Sequence, residues 1–304
     1  MESTHTDRLE CARCALEGLS VGDSIGEQFF LPPGTFAKMV ESRRLRQPPW
    51  QFTDDTNMAL SVFAVLRQYG EIEQDALADS FGHHYDRRRG YGYAMHGVLA
   101  TFRQGASWRD VAPTLFEGTG SFGNGSAMRI APVSGYFADD LDAVTEQARR
   151  ATEVTHAHPE AIAGGIAAAV AGALAWQHQQ ARTRPTRAEF IEQVMPHVPD
   201  SEVLSGLRRA CDVSPSTSAP HAAAMLGNGS RITCQDTVPF TVWCAGEYLD
   251  DYENAIWHTI SVGGDIDTTC AIVGGIVALY TGIDGIPAAW RAGREPLPRW
   301  AFED

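Results

Sequence analysis

The chain has 304 residues, with 24 Lys and Arg against 38 Asp and Glu and a net charge of −14 with histidine neutral. Its usage, 44% hydrophobic and 20% charged, is that of a globular protein long enough to bury a large core, which excludes disorder as the main state. A pI near 5.1 leaves no global basic field for a nucleic-acid backbone or an anionic membrane, and six cysteines are too few for a disulfide scaffold.

Apolar positions recur at helical spacing nearly throughout and almost nowhere alternate for the length of a strand, so the expected fold is all-α. The N-terminus is polar and carries no secretory pattern, which together with the sparse cysteines predicts a cytoplasmic protein. A first helix over 6–18 carries Cys11 and Cys14; without a second pair they read as core thiols rather than a zinc site. Gly18-Leu19-Ser20-Val21-Gly22 spells a nucleophile elbow, but that turn needs a strand before its serine, and 9–19 reads as helix. A loop over 31–49 precedes Thr53, which starts a helix running through Met58, Phe63, Leu66 and Tyr69. A helix over 72–85 leads to Arg87-Arg88-Arg89-Gly90, which reads as a solvated turn. The stretch 118–132 is a loop, and helices follow over 141–155, 159–179, 187–195, 236–248, 251–260 and 268–280. The apolar runs 161–176 and 270–280 fall short of a bilayer span and read as buried helices. No stretch resembles an interdomain linker, so 1–304 is expected to form one domain. Gly123-Asn124-Gly125-Ser126 and Gly227-Asn228-Gly229-Ser230 echo each other, too briefly to be a repeat.

Two acidic clusters carry the chemistry: Thr53-Asp54-Asp55-Thr56 and Gly264-Asp265-Ile266-Asp267-Thr268, each opening a helix. Either one alone is ordinary helix-start chemistry, a threonine cap with acids at the positive end of the dipole. As a pair they match a hard-cation site built from oxygen ligands. Should the four carboxylates converge, each like-charge pair at ~4 Å costs on the order of 4 kcal/mol at an effective dielectric near 20. Two divalent cations would cancel that charge.

These clusters belong to a series of ordered motifs: 18–26, containing Gly22-Asp23; Phe52-Thr53-Asp54-Asp55-Thr56; Gly120-Ser121-Phe122-Gly123-Asn124-Gly125-Ser126 running on to Pro132; Thr155-His156 with Pro159; Gly263 to Thr269; and Ile286-Pro287 with Trp290. In that order they resemble the ADP-ribosylglycohydrolase family, which includes the dinitrogenase reductase-activating glycohydrolases. The resemblance implies a single compact, orthogonally packed all-α domain around a binuclear magnesium centre, with manganese as the alternative, and hydrolysis of the glycosidic bond between ADP-ribose and a protein side chain or small acceptor. It assigns Thr53, Asp54, Asp55, Asp265, Asp267 and Thr268 to the two ions, with Asp267 bridging them. Asp23, Gly120, Ser121, Phe122, Gly123, Asn124 and His156 are assigned to the substrate, the glycine loop to its pyrophosphate.

One departure bears on mechanism. Related hydrolases carry a glutamate seven residues beyond the aspartate of the Gly-Asp motif, where this chain has Phe30. Glu27, one turn after Asp23, or else Asp55 or a metal-bound water, is then the expected acid or base. The departure also leaves room for a non-catalytic ADP-ribose binder or a crystallin-like protein of the same fold, and the carboxylates alone would suit a two-metal phosphohydrolase. A monomer is expected, acting on an ADP-ribosylated protein or a small conjugate without membrane or nucleic acid.

Overall fold

Thr4 caps the first helix with its hydroxyl, and Asp7 returns the bond to the Thr4 backbone, so the chain enters α1 (His5–Gly26) through a reciprocal capping box. In the computed structural model, which describes residues 4–303, helices α2 (Pro33–Glu41), α3 (Asp54–Tyr69), α4 (Gln74–His83), α5 (Tyr93–Phe102), α6 (Trp108–Val111), α7 (Leu115–Gly118) and α8 (Ala131–Tyr136) follow. Then come α9 (Leu141–Glu153), α10 (Pro159–Ala181), α11 (Arg187–Val194), α12 (Glu202–Asp212), α13 (Ala219–Leu226), α14 (Cys234–Glu247), α15 (Tyr252–Ile260), α16 (Ile266–Thr281) and α17 (Ala288–Gly293). The described residues contain only two isolated β-bridges, Trp50 with Arg294 and Gly123 with Thr233, and the molecule is all-α with one continuous apolar core.

The centre of the fold is the crossing of α1 and α16. Gly18, Gly22 and Gly26 recur every fourth residue on one face of α1, and a methyl group added at Gly22 would lie 2.2 Å from the Cys270 carbonyl oxygen. The helices therefore touch backbone to backbone. The Tyr252 hydroxyl fastens the crossing by donating to the Gly18 carbonyl at 2.6 Å. Helix α10, rich in Ala and Gly, packs beside it. Its 23 residues are long and apolar enough to cross a membrane by composition, but 78% of the most apolar window is buried inside the protein, the signature of a core helix.

Several elements depart from the sequence reading. Helix α1 runs on through Gly18 to Gly26, because the glycines that lower its propensity are what let α16 approach. Helix α2 occupies part of the expected 31–49 loop, its Pro33 standing at the first turn where no amide is needed. Helices α5, α12 and α13 were not foreseen either; α12 starts on Ser201, whose hydroxyl accepts from the Leu204 amide. Arg89 is not a solvated turn residue. Its guanidinium stacks on Phe52 at 3.8 Å, donates to the Phe52 carbonyl at 2.8 Å and pairs with Glu295.

Candidate active site

The first acidic cluster is built from the segment that leads into α3. Residues Trp50 and Phe52 are clamped to the C-terminal segment by the Trp50 amide on Gly293 at 2.7 Å and by the Phe52 amide on Glu295 at 3.0 Å. Thr53 then caps α3, its Oγ1 accepting from the Asp55 amide. Asp23, fully buried on α1, receives the Thr53 amide at 3.0 Å, the Thr53 hydroxyl at 2.8 Å, the Thr56 amide at 3.1 Å and the Thr56 hydroxyl at 2.5 Å. Both of its oxygens are engaged by the α3 turn. Asp23 thus shapes the α3 turn from below, where the family resemblance had placed it on the substrate.

Asp55 is 1% exposed, and its Oδ1 is buried with no partner. Its Oδ2 lies 2.9 Å from the Thr53 hydroxyl, which has one proton to divide between Asp55 and Asp23. The second cluster starts α16. The Asp265 amide donates to the Asn228 carbonyl at 3.2 Å, and its carboxylate takes the Asn124 side-chain amide at 2.7 Å. Asp267 accepts the Thr268 amide at 2.8 Å.

The two clusters meet at a cavity of about 430 Å³. Asp54, Asp265, Asp267 and Thr268 line it together with Ser121, Phe122, Gly123, Asn124 and His156. Thr53, Asp55 and Gly120 do not line it. The first two are buried in the α3 turn, and Gly120, at φ +76°, passes so close to the chain at Ala157 and His158 that a side chain there would strike the His158 amide. A larger groove of about 970 Å³ near Cys11, Trp176 and Arg291 contains neither acidic cluster, so size does not mark the site here.

Burial raises every carboxyl of the group. Asp54 is pushed up to about 8, by burial first and then by the charge of Asp23. Asp55 is held well above the carboxylate range by burial and then by Asp23 and Asp267, and Asp267 likewise by burial and then Asp265. In Asp265 burial also raises the pKa, against the bond from Asn124. Acidic residues from opposite ends of the sequence therefore feel one another in a low-dielectric setting. Among the described residues no three His, Cys, Asp or Glu side chains are gathered closely enough to hold a metal ion, although Asp54, Asp265 and Asp267 line one cavity.

Glu27 lies elsewhere. After α1 the chain makes a short 3-10 turn, Glu27–Phe29, that tucks Gln28 onto the Ser24 carbonyl and the Arg46 amide and packs Phe29 edge-on against Trp257. That leaves Glu27 exposed and outside the cavity lining, so this conformation does not give it the acid/base position. Phe30 is 50% exposed.

Other wall residues escaped the sequence reading. Tyr93 and Phe116 stand on the rim, and Arg231, Ile232 and Thr233 line the cavity next to the glycine loop. The brief echo between the two Gly-Asn-Gly-Ser segments was the available signal. The stretch after the second segment lies beside the first, with the Asn124 amide on the Ile232 carbonyl and the Cys234 amide on the Phe122 carbonyl.

A sequence model described as ADP-ribosylglycohydrolase matches residues 4–303. The chain belongs to the ADP-ribosylglycohydrolase family. Relatives within this family of hydrolases include the ADP-ribosylhydrolase ARH3 of Bos taurus, 29% identical over 79% of this chain and 73% of its own length. The ARH3 of Gallus gallus is 27% identical over 92% and 84%, and the ADP-ribosyl-[dinitrogen reductase] glycohydrolase of Rhodospirillum rubrum is 27% identical over 91% and 87%. A solved structure titled "ADP-ribosylglycohydrolase-related protein complex" superposes with a TM-score of 0.62 at 25% identity, covering 97% of this chain and 94% of its own. The ADP-ribosylglycohydrolase fold and the hydrolytic character of the family thus extend over essentially the whole chain.

Proposed function

We propose that the protein is a divalent-cation-dependent hydrolase, with magnesium first and manganese second, that cleaves the glycosidic bond between ADP-ribose and a protein side chain or small acceptor and releases ADP-ribose. The observation that carries the cation is the buried, unpartnered Oδ1 of Asp55 amid carboxyls raised by burial and by one another. Such a donor set is costly without a compensating charge and is all oxygen, as hard cations require. Thr53, Asp54, Asp55, Asp265, Asp267 and Thr268 would hold two ions. Bound there, the ions would supply charge stabilisation and a template for the ribose hydroxyls.

The chain's own groups divide the remaining work. The cavity-lining part of the glycine loop would meet the pyrophosphate through the Ser121 and Phe122 amides, since the amides of Gly120, Gly123 and Asn124 are bonded to Leu115, Ser121 and Ile232. Asn124, bonded to Asp265, ties that loop to the second acidic cluster. With Glu27 outside the cavity lining, proton transfer at the scissile bond falls to the α3 turn, where Asp54 lines the cavity. Oxocarbenium character at the anomeric carbon is expected, as in other glycosyl hydrolysis. Six unpaired cysteines suit the reducing, cytoplasmic setting that belongs to the same proposal, as does action by a monomer.

The position of Glu27 outside the cavity lining and the exposed Phe30 favour one competing reading, an ADP-ribose binder without turnover. A turnover assay separates the two. Purified protein is offered arginine-, serine- and acetyl-linked ADP-ribose with magnesium or with EDTA, and free ADP-ribose is detected by mass. Magnesium-dependent release from one linkage supports the hydrolase and names its acceptor. Binding without release supports the competing reading, and phosphate release from nucleotides would point to a phosphohydrolase instead.

A further inference from the structure

Arg129 is completely buried and forms no salt bridge with any described carboxylate. One of its terminal nitrogens donates to the Ala151 carbonyl at 3.0 Å and to the Thr155 hydroxyl oxygen at 2.7 Å. The other lies 3.6 Å from the Met58 sulfur, the group rests 4.6 Å over the Phe81 ring, and its Nε has no partner. Burial lowers its pKa to about 9, still well above neutral, so it remains a donor only.

That fixes the direction of the next bond. Thr155 Oγ1 also lies 2.7 Å from Nδ1 of His156. A guanidinium cannot accept, so it takes one of the two lone pairs of the hydroxyl, and the one hydroxyl proton has a single acceptor within reach, Nδ1. The opposite tautomer would aim two donors at the same oxygen and strand the hydroxyl proton of Thr155, which is 0% exposed. We propose that Arg129 and Thr155 are positioning residues that lock His156 in the tautomer carrying its proton on Nε2 and present that N–H to the cavity as a neutral donor.

The receiving end is built for it. The Nε2 edge of His156 faces Gly123 and Gly125, where an added methyl would stand 3.3 and 3.1 Å from Nε2, and Nε2 has no hydrogen-bond partner among the described residues. An N–H here adds a side-chain donor to the backbone amides of the glycine loop, directed at an anionic or hydroxyl oxygen of the ligand. Burial first and Arg129 second push the His156 pKa down to about 3, so the donor carries no charge across the working pH range.

The tautomer is read in the free protein by long-range proton–nitrogen correlation spectra of 15N-histidine-labelled enzyme, with the His156→Gln variant assigning the signal. An unprotonated Nδ1 with a protonated Nε2 supports the proposal, and a protonated Nδ1 overturns it whether or not any substrate is turned over. The functional half rests on the ADP-ribose reading and is tested by calorimetry with ADP-ribose and magnesium. Thr155→Val should weaken binding on the order of tenfold and Thr155→Ser should restore it. Equal affinity in Thr155→Val and wild type would overturn the positioning role. Should Thr155→Val fail to fold, the wild-type spectrum still decides the tautomer.

Discussion

Asp23 and Glu27 stand one helical turn apart and have opposite fates. Asp23 is consumed by four donors from Thr53 and Thr56. Removing its carboxylate strands those groups in a dry site, so Asp23→Ala should destabilise the fold by about 3 kcal/mol or more, read as a lower urea midpoint. Glu27→Gln, in contrast, should turn over within a few-fold of wild type. A fall of ~10²–10⁴ would reinstate Glu27 as acid or base. Asp267→Ala should remove the rise in melting temperature on adding magnesium, and an unchanged magnesium response would remove Asp267 from the ligand set. His156 supplies a pH test. Its folded pKa of about 3 lies below the free value of 6.5, so below 6.5 the unfolded chain binds the extra proton. The contribution is whole above about 6.5 and is lost as pH falls towards 3. Urea midpoints measured in EDTA between pH 7 and 4.5 should fall less steeply in His156→Gln than in wild type.

At the level of elements, the long periodic helices were legible because their apolar faces repeat at 3.6 residues. Those that escaped are short or carry signals that mislead. The Gly18, Gly22 and Gly26 series read as the end of a helix when it marks a contact, and Pro33 read as a loop when it opens α2. Glycine spacing at four reveals close approach only once the partner is known, and here the partner is nearly 250 residues distant in sequence, Gly22 meeting Cys270. Gly22→Ala should therefore cost more than its helix propensity would gain. Overpacking against backbone is worth about 1–3 kcal/mol, to be read from the denaturation midpoint.

For the molecule as a whole, both acidic clusters and the glycine loop were visible in sequence as residue types at fixed spacing, while their convergence was not. Thr53 and Asp265 open different helices, and nothing local says that α1 brings their starts together. The rim was less visible still. Tyr93, Phe116 and Ile232 are exposed hydrophobics at the start of α5, within the one-turn α7 and in the loop before α14, and no periodicity singles such residues out. Arg89 shows the reverse, a residue whose charge suggested solvent and whose guanidinium lies on Phe52.

Helix α1 touches both halves of this site: its Asp23 grips the Thr53 turn, and a methyl group at its Gly26 would fall 2.7 Å from the Asp267 Cα. It works as a spacer gauge, one rigid rod against which the two acidic turns are each set. The gap between them is accordingly written into α1, in residues that touch no ligand, and a change as small as one methyl at Gly26 would widen it. If the site holds cations as proposed, Gly26→Ala should shift its preference between magnesium and the larger manganese as well as lower stability, as for Gly22→Ala, because the methyl meets backbone.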